Sequence, residues 1–319
     1  MTDPGTITET QFKRLAQRLL RELDFTTVPP IPTNDSIRES VVQHAREIAQ
    51  AQNLNVNRMV AFASDGAALA LICFPNHDPG LQEILAKFCF YFCAVDDMVS
   101  DLIAPLKSFS RNIVLGKPHG VPILDAWTAN LQTLYQYFGY HGADSVLSST
   151  CEYLTETVFE FETANTLQVH RAATKFPHYL RMRTGLAAGG IAMICPEREF
   201  PESRCLPLFN QAMPDLMEFI CFINDVFSFY KECIVGEERG NYVYVYARAN
   251  GIHVEQALED LAERTVGCVR NTRDILASEP EMLRYVEDYI RGNIVSNVCL
   301  PRYRLAELGL LGYSNVYDS

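Results

Sequence analysis

The chain has 319 residues, 48% of them hydrophobic, and a formal net charge of −12. That length can bury a large core, as one large domain or two ordinary ones. The acidic balance argues against a nucleic-acid partner, because phosphate backbones attract basic surfaces. The start, "MTDPGTITET", lacks signal-peptide features, no run of 18 apolar residues occurs, and the ten cysteines form no CxxC pair. We expect a soluble, cytoplasmic protein without a membrane span.

Helical patterns dominate along the chain, and strand patterns are nearly absent. "TETQFKRLAQRLLRELDF" repeats apolar residues at three and four, and after the breaker "VPPIPTNDS" either Asn34 or Asp35 is placed to cap the helix "SIRESVVQHAREIAQAQ". Further helices are predicted at about 56–73, 79–101, 121–139, 143–168, 171–197, 208–235, 252–275 and 279–298. Short breakers separate them, with no long linker or internal repeat. The prediction is one all-α domain over 1–319, with an N-terminal segment 1–35 and a C-terminal tail 306–319.

Polar residues share one face of the apolar helix "CFINDVFSFYKE", residues 221–232. At about 100° per residue, Asn224, Ser228 and Glu232 advance only about 40° per step. Lys231 falls about 20° from Asn224 by the same arithmetic. The neighbouring residues are mostly apolar, which leaves the helix little other exposed surface. The pattern indicates either a polar functional site or a buried hydrogen-bond network between helices.

A second polar cluster ends the aromatic helix "KFCFYFCAVDDMVSD", residues 87–101. Phe92 lies one turn before Asp96 and Phe88 two turns before it, so this face changes from aromatic to anionic. The acids are either an ordinary solvated helix end or part of a site. Because Asp96 and Asp97 lie unfavourably at the negative end of the helix dipole, we expect a cation near them.

Both clusters carry the oxygen ligands that suit Mg²⁺, which proteins often share with substrate phosphates. A cation between the two helices would relieve the repulsion among the acids. The seven histidines are scattered, and no Cys/His spacing suits zinc. The sequence therefore predicts a magnesium site between these helices.

Four motifs resemble those of a known enzyme family. "NDVFSFYKE" fits the pattern (N/D)Dxx(S/T)xxxE of class I terpene cyclases, and "DDMVSD" is similar to their aspartate-rich motif. "SFYKE" at 228–232 and "PRYRL" at 301–305 resemble the fungal trichodiene-synthase-like group. The resemblance covers roughly residues 80–305. It implies an all-α, single-domain class I terpenoid synthase bundle around an apolar cavity.

The resemblance also implies roles for individual residues. The implied metal ligands are Asp96, Asn224, Ser228 and Glu232, and the implied diphosphate-binding residues are Arg181, Lys231, Arg302 and Tyr303. Thr184 and Gly185 follow Arg181 where such enzymes break a helix, supported by the glycines at 185, 189 and 190. Substrate contacts are expected from Phe88, Phe92, Thr184, Gly185, Ile220 and Cys221, whereas Phe90 and Tyr91 are assigned to the core. Without the resemblance, Arg181 and Arg183 would be interpreted as surface charges.

Two features depart from the family pattern. Asp101 lies five residues after Asp96, so Ser100 takes the aligned position, and Asp97 and Asp101 are less secure metal ligands. "SNVCLPRYRL" also lacks the tryptophan that many relatives have before Arg-Tyr.

The implied activity is Mg²⁺-dependent ionisation and cyclisation of farnesyl diphosphate to a sesquiterpene hydrocarbon, macrocyclic and humulene-like or polycyclic, with three Mg²⁺ ions and release of diphosphate. Alternatives are a diterpene cyclase acting on geranylgeranyl diphosphate and a non-catalytic helical isoprenoid-binding protein. "NDVFS" in place of a second DDxxD argues against a chain-elongating prenyl diphosphate synthase. The expected partner is a small prenyl diphosphate, and a homodimer is left open.

Overall fold

The computed structural model describes residues 4–30, 32–164 and 166–310. Within them, every regular element is helical. The α-helices are α1 Glu9–Glu22, α2 Asp35–Gln52, α3 Val56–Cys73, α4 Pro79–Asp97, α5 Val99–Leu106, α6 Phe109–Val114, α7 Pro122–Leu134, α8 Tyr140–Thr163, α9 Phe176–Thr184, α10 Ala187–Ala192, α11 Glu202–Phe229, α12 Tyr242–Asn250, α13 Val254–Leu276 and α14 Pro280–Cys299. A π-helical turn, Tyr230–Val235, extends α11, and 3-10 turns occupy Pro301–Tyr303 and Leu305–Leu308.

Helices α3, α4, α9, α10, α11 and α14 contribute the wall of a central cavity. Around them, α2 packs on α3 and α4, α7 on α4, α8 on α10, and α13 on α11, while α1 packs on α13. The buried apolar side chains of these helices form one continuous cluster. The all-α prediction is confirmed for the described residues.

Local sequence signals account for several helix ends. Asn34 caps α2, since its side chain accepts a hydrogen bond from the Ile37 amide at 3.2 Å. Asp78 caps α4, and Pro79 supplies the fixed backbone angle at its first position. Gly66 allows α3 to approach α4 closely, because a Cβ there would lie 2.4 Å from the Phe90 amide nitrogen.

Several predicted helices are divided or missed. The predicted helix 79–101 stops at Asp97, and α5 starts at Val99. The predicted helix 171–197 becomes α9 and α10, and α11 begins earlier than predicted and ends in the π-helical turn. Both α6 and α12 were missed. The stretch "NYVYVYARAN" of α12 alternates residue types as a strand would, but it starts at the cap Asn241 and ends at Gly251 in the left-handed conformation.

Helix α3, Val56–Cys73, is the one helix of the described segments long and apolar enough to cross a membrane, and half of that window is buried inside the molecule. It packs against α2, α4 and α14. Its apolar content is therefore accounted for by its position in the core.

Candidate active site

The central cavity has a volume of about 240 Å³ and two chemically different parts. Its inner wall is largely apolar, with Leu69, Phe88, Phe92, Met193 and Ile220 among its side chains. Near the ends of α4 and α11, the wall carries charged and polar groups. We call this part the polar end, and define it by Asp65, Asp96, Arg181, Asn224, Arg302 and Tyr303.

Asp96 stands at the polar end as the last-turn carboxylate of α4. The Tyr153 hydroxyl donates a hydrogen bond to it at 3.3 Å. The carboxylate is open to the cavity but surrounded by protein, and this burial raises its pKa, with the Arg302 guanidinium acting in the opposite direction. Arg302, from the far end of the chain, therefore supplies positive charge near Asp96, while Arg58 pairs with Asp97.

Asn224 projects into the same cavity from α11, and its side-chain amide makes three hydrogen bonds. Its Nδ2 donates to Asn297 Oδ1 at 3.1 Å and to Tyr303 Oη at 3.0 Å. Its Oδ1 accepts a hydrogen bond from Arg181 Nη2 at 3.2 Å. Arg181 in turn donates through Nε to both oxygens of Asp225, at 2.8 and 3.0 Å. Arg181 is thus held at the cavity, and the surface-charge interpretation does not apply to it.

Arg302 lies among several groups of the polar end. Its guanidinium is 5.5 Å from the Tyr303 ring centre, and Nη1 is 3.7 Å from Cys93 Sγ. Burial lowers the pKa of Arg302, but Tyr303, Cys93 and the carboxylates Asp96 and Asp65 more than offset it, so the guanidinium stays charged. Burial also raises the pKa of Asp65, opposed by Arg302.

The motif "NDVFSFYKE", residues 224–232, runs from the end of α11 into the π-helical turn, which changes where its side chains lie. Ser228 is buried in the last α-helical turn, while Lys231 and Glu232 lie inside the π-helical turn and are about one-quarter exposed. Lys231 Nζ is 3.6 Å from a Glu232 oxygen and 5.4 Å from the Tyr303 ring centre. Glu232 also accepts from Asn241 Nδ2 at 3.3 Å. Of this motif, only Asn224 lies on the cavity wall itself.

The predicted helix break after Arg181 is present. Helix α9 ends at Thr184, and both Thr184 and Gly185 line the cavity. A Cβ at Gly185 would lie 2.6 Å from Cys221 Sγ, so no larger residue fits between α9 and α11 without movement. The residue in the left-handed conformation is Leu186, with φ of 51°, rather than a glycine. Leu186 also contributes to the cavity wall.

The other predicted residues divide between the cavity and its surroundings. Phe88, Phe92 and Ile220 lie on the wall, whereas Cys221 is buried behind it and Phe90 and Tyr91 belong to the core. Asp97 and Asp101, the less secure ligands, are both exposed and off the wall. Asp97 pairs with Arg58 at 3.8 Å, and Asp101 lies beyond the break at Met98, in the first turn of α5.

Sequence reasoning missed several polar residues of the site, among them Asp65, Tyr153, Asp225 and Asn297. Asp65 is the lone acid of the apolar stretch "AFASDGAALALIC", a signal that could have identified it. Asp225 lies inside the quoted motif "NDVFSFYKE". Tyr153 and Asn297 have ordinary helical surroundings in the sequence, and only the packing of α8 and α14 shows their contacts.

The oxygen donors of the site are chemically suited to Mg²⁺. Asp96 and Asn224 face one cavity, and Ser228 and Glu232 follow on the same helix or its extension. Over the described segments, no three His, Cys, Asp or Glu side chains group closely enough to hold a metal ion by themselves. A site that counts amide, hydroxyl and substrate oxygens among its ligands, as Mg²⁺ sites do, fits this arrangement.

The helical bundle has the fold of class I terpene synthases, the lyases that form terpenes. A family model described as trichodiene synthase (TRI5) matches residues 31–313, and the chain belongs to this family. It is 30% identical over 275 residues to the (E)-beta farnesene synthase of Metarhizium brunneum, covering 86% of this chain and 83% of that one. It is 26% identical over 308 residues to the longiborneol synthase CLM1 of Gibberella zeae, covering 95% and 89%.

Solved structures agree with this fold. The linalool/nerolidol synthase from Streptomyces clavuligerus superposes with a TM-score of 0.66 at 14% identity, covering 85% of this chain and 99% of that one. Hedycaryol synthase in complex with nerolidol gives a TM-score of 0.55 at 19% identity, covering 90% and 98%. At such identities the likeness concerns the fold alone. The all-α class I prediction and the family resemblance are both confirmed.

Proposed function

We propose that this terpene cyclase ionises farnesyl diphosphate in an Mg²⁺-dependent reaction and closes the farnesyl cation to a sesquiterpene hydrocarbon, macrocyclic or polycyclic, with release of diphosphate. The observation that carries the proposal is that Asp96 and Asn224, from the two predicted motifs, face one cavity together with Arg181, Arg302 and Tyr303. The charged end would take the diphosphate, and the apolar wall would take the hydrocarbon chain.

Metal ions at the polar end would be held by Asp96 and by Asn224, Ser228 and Glu232. By family resemblance we expect three Mg²⁺ ions. When bound, they supply positive charge that stabilises the departing diphosphate. Glu232 accepts a hydrogen bond from Asn241 here, so we expect its carboxylate to turn toward the metal when the site is filled.

The chain's own cations would hold the leaving group. Arg302 and Tyr303 lie on the cavity wall, and Lys231 approaches the Tyr303 ring. Tyr303 Oη accepts from Asn224, which leaves its own proton free to donate to a diphosphate oxygen. Donors aimed at the oxygens that gain charge as the allylic C–O bond breaks lower the barrier to ionisation.

The inner wall would protect the resulting carbocation. Phe88 and Phe92 present aromatic rings at the cavity, and such rings attract cations. The thiols of Cys73, Cys89 and Cys93 also line the wall, and burial raises the pKa of each, to about 11 for Cys93. They therefore stay protonated near neutral pH, so no thiolate is present to trap the cation.

The C15 substrate is favoured by the relatives. One, 30% identical, is named for (E)-beta farnesene. Geranylgeranyl diphosphate remains the alternative for this chain. A relative named monoterpene synthase 25, 28% identical over 226 residues, brings C10 substrates into the test. Membership of an enzyme family sets aside the non-catalytic isoprenoid carrier.

The direct test is to incubate purified protein and Mg²⁺ with C10, C15 and C20 prenyl diphosphates separately and to analyse the organic extracts by mass spectrometry. We expect cyclic C15 hydrocarbon from farnesyl diphosphate as the main product, and none when EDTA removes the metal. Cyclic C20 hydrocarbon as the main product would support the diterpene alternative.

We further propose that residues 1–319 act as one domain in the cytoplasm, with the prenyl diphosphate as partner.

A further inference from the structure

The side-chain amide of Asn224 can stand in two orientations, and only one is useful to a metal. An asparagine amide presents oxygen on one side and two N–H donors on the other. Mg²⁺ takes oxygen ligands, so a flipped amide would direct N–H groups at the metal and remove a ligand. Some contact must therefore set the orientation of this group.

Both N–H donors of Asn224 are used by neighbours on one side. Nδ2 donates to Asn297 Oδ1 at 3.1 Å and to Tyr303 Oη at 3.0 Å. On the other side, Oδ1 accepts from Arg181 at 3.2 Å, which takes one of its two lone pairs. A flipped amide would place its N–H groups against the Arg181 donors and its oxygen against Asn297 Oδ1.

Asn297 is oriented by a group that cannot flip. Its Nδ2 donates to the main-chain carbonyl of Asn293 at 2.8 Å, one helical turn earlier on α14. That places Oδ1 on the side of Asn224. Asn297 is 3% exposed, so water does not compete for these contacts. The fixed Asn293 carbonyl of α14 therefore orients Asn297, and Asn297 in turn orients Asn224 on α11.

We propose that Asn297 is a positioning residue that keeps the Asn224 oxygen, rather than its nitrogen, directed at the magnesium site. This inference rests on the proposed function, since it assigns Asn224 to the metal. Asn297 also lines the cavity, but in this role it acts on the metal through Asn224 rather than as a ligand itself. It acts through Asn224 alone, and that separates it from a residue that only supports the fold.

The test measures binding of inorganic diphosphate in the presence of MgCl₂ by calorimetry, so it requires no turnover. Asn297→Leu removes the acceptor at similar size and is expected to weaken binding about tenfold or more, the usual range for partners that orient a ligand. Asn297→Ala serves as the second variant and should show the same loss. Asn130→Leu is the matched control, because Asn130 is also buried and donates to a main-chain carbonyl, that of Ile84, outside the cavity.

A variant of Asn224 separates orientation from structural support. Asn224→Asp replaces the amide by a carboxylate whose two oxygens are equivalent, so it needs no orienting contact. Asn297→Leu in that background is expected to weaken binding less than threefold. An equal loss in both backgrounds, or wild-type binding by Asn297→Leu and Asn297→Ala, would overturn the inference. Absence of terpene product from the wild type would instead count against the proposed function, because the binding measurement does not depend on it.

Discussion

At the scale of single residues, the ion pair between Arg181 and Asp225 shows how the site holds a charge away from water. Asp225 is buried and accepts two hydrogen bonds from Arg181 Nε, at 2.8 and 3.0 Å. Removing one partner of a buried pair leaves the other charge uncompensated. We expect Asp225→Asn to lower the free energy of unfolding by about 3 kcal/mol, measured by urea denaturation.

The control for that change is a pair exposed to solvent. Lys107 and Glu162 are about half exposed and form an ion pair at 2.5 Å. Glu162→Gln should cost less than about 1 kcal/mol, because water screens exposed pairs. Equal costs for Asp225→Asn and Glu162→Gln would show that burial does not govern the Arg181 pair.

His77 supplies a pH dependence outside the site. It is buried, its Nε2 lies 2.8 Å from the Met193 carbonyl, and burial lowers its pKa to about 4. Between that value and the ordinary histidine pKa of about 6.5, the unfolded chain binds more protons than the folded one. The stabilisation is therefore complete above about pH 6.5 and is lost as the pH falls toward 4.

The expected size of this effect is about 2 kcal/mol between about pH 7.5 and about pH 5. Urea denaturation of the wild type and of His77→Gln at both pH values isolates it, since other groups titrate alike in the two proteins. The wild type should lose about 2 kcal/mol more than the variant on acidification. The same loss in both would exclude His77 as the cause.

At the scale of elements, the long apolar helices were predictable, and so was the break after Arg181, but the break at Met98 and the π-helical turn were not. The bounds of α3 follow from the sequence, and α14 differs by one residue at each end. The break at Met98 and the π-helical turn after Phe229 have no counterpart in the sequence pattern, whereas the break near Leu186 was expected from the glycines at 185, 189 and 190. The prediction from about 100° per residue therefore placed Asn224 and Ser228 correctly on one α-helix. It could not predict the π-helical geometry around Glu232.

The same glycine-to-alanine substitution is expected to change the free energy of unfolding in opposite directions at two helical positions. Gly66→Ala would force α3 and α4 apart, because the new Cβ meets main-chain atoms of Phe90, and should lower the free energy of unfolding by about 2 kcal/mol. Gly267→Ala on α13 meets nothing within 4 Å and should raise it by about 0.5 to 1 kcal/mol. Urea denaturation of both variants provides the measurement. A stabilising Gly66→Ala would contradict the close approach of the two helices.

At the scale of the whole molecule, the sequence identified the groups of the site that belong to recognisable motifs. Asp96 and Asn224 were predictable because polar residues interrupt apolar helices there. Asn297 and Tyr153 were not, since their roles depend on which helices become neighbours. The resemblance supplied Arg302 and Tyr303, which lie about 80 residues after Asn224 and carry no local signal of their own. The packing between helices that are distant in the sequence is therefore what could not be predicted from it.

The central claim is that Asp96 and Asn224 act on the same substrate molecule, although their helices lie far apart in the sequence. The measurement is the yield of terpene from farnesyl diphosphate and Mg²⁺, by mass spectrometry of the organic extract, for Asp96→Ala and Asn224→Ala. Asp144→Ala is the control, an exposed acid on α8 that bonds Tyr135. The account predicts that both site variants lose most of the product while the control keeps it and all three keep the helical circular dichroism of the wild type. Full product from both site variants would contradict it.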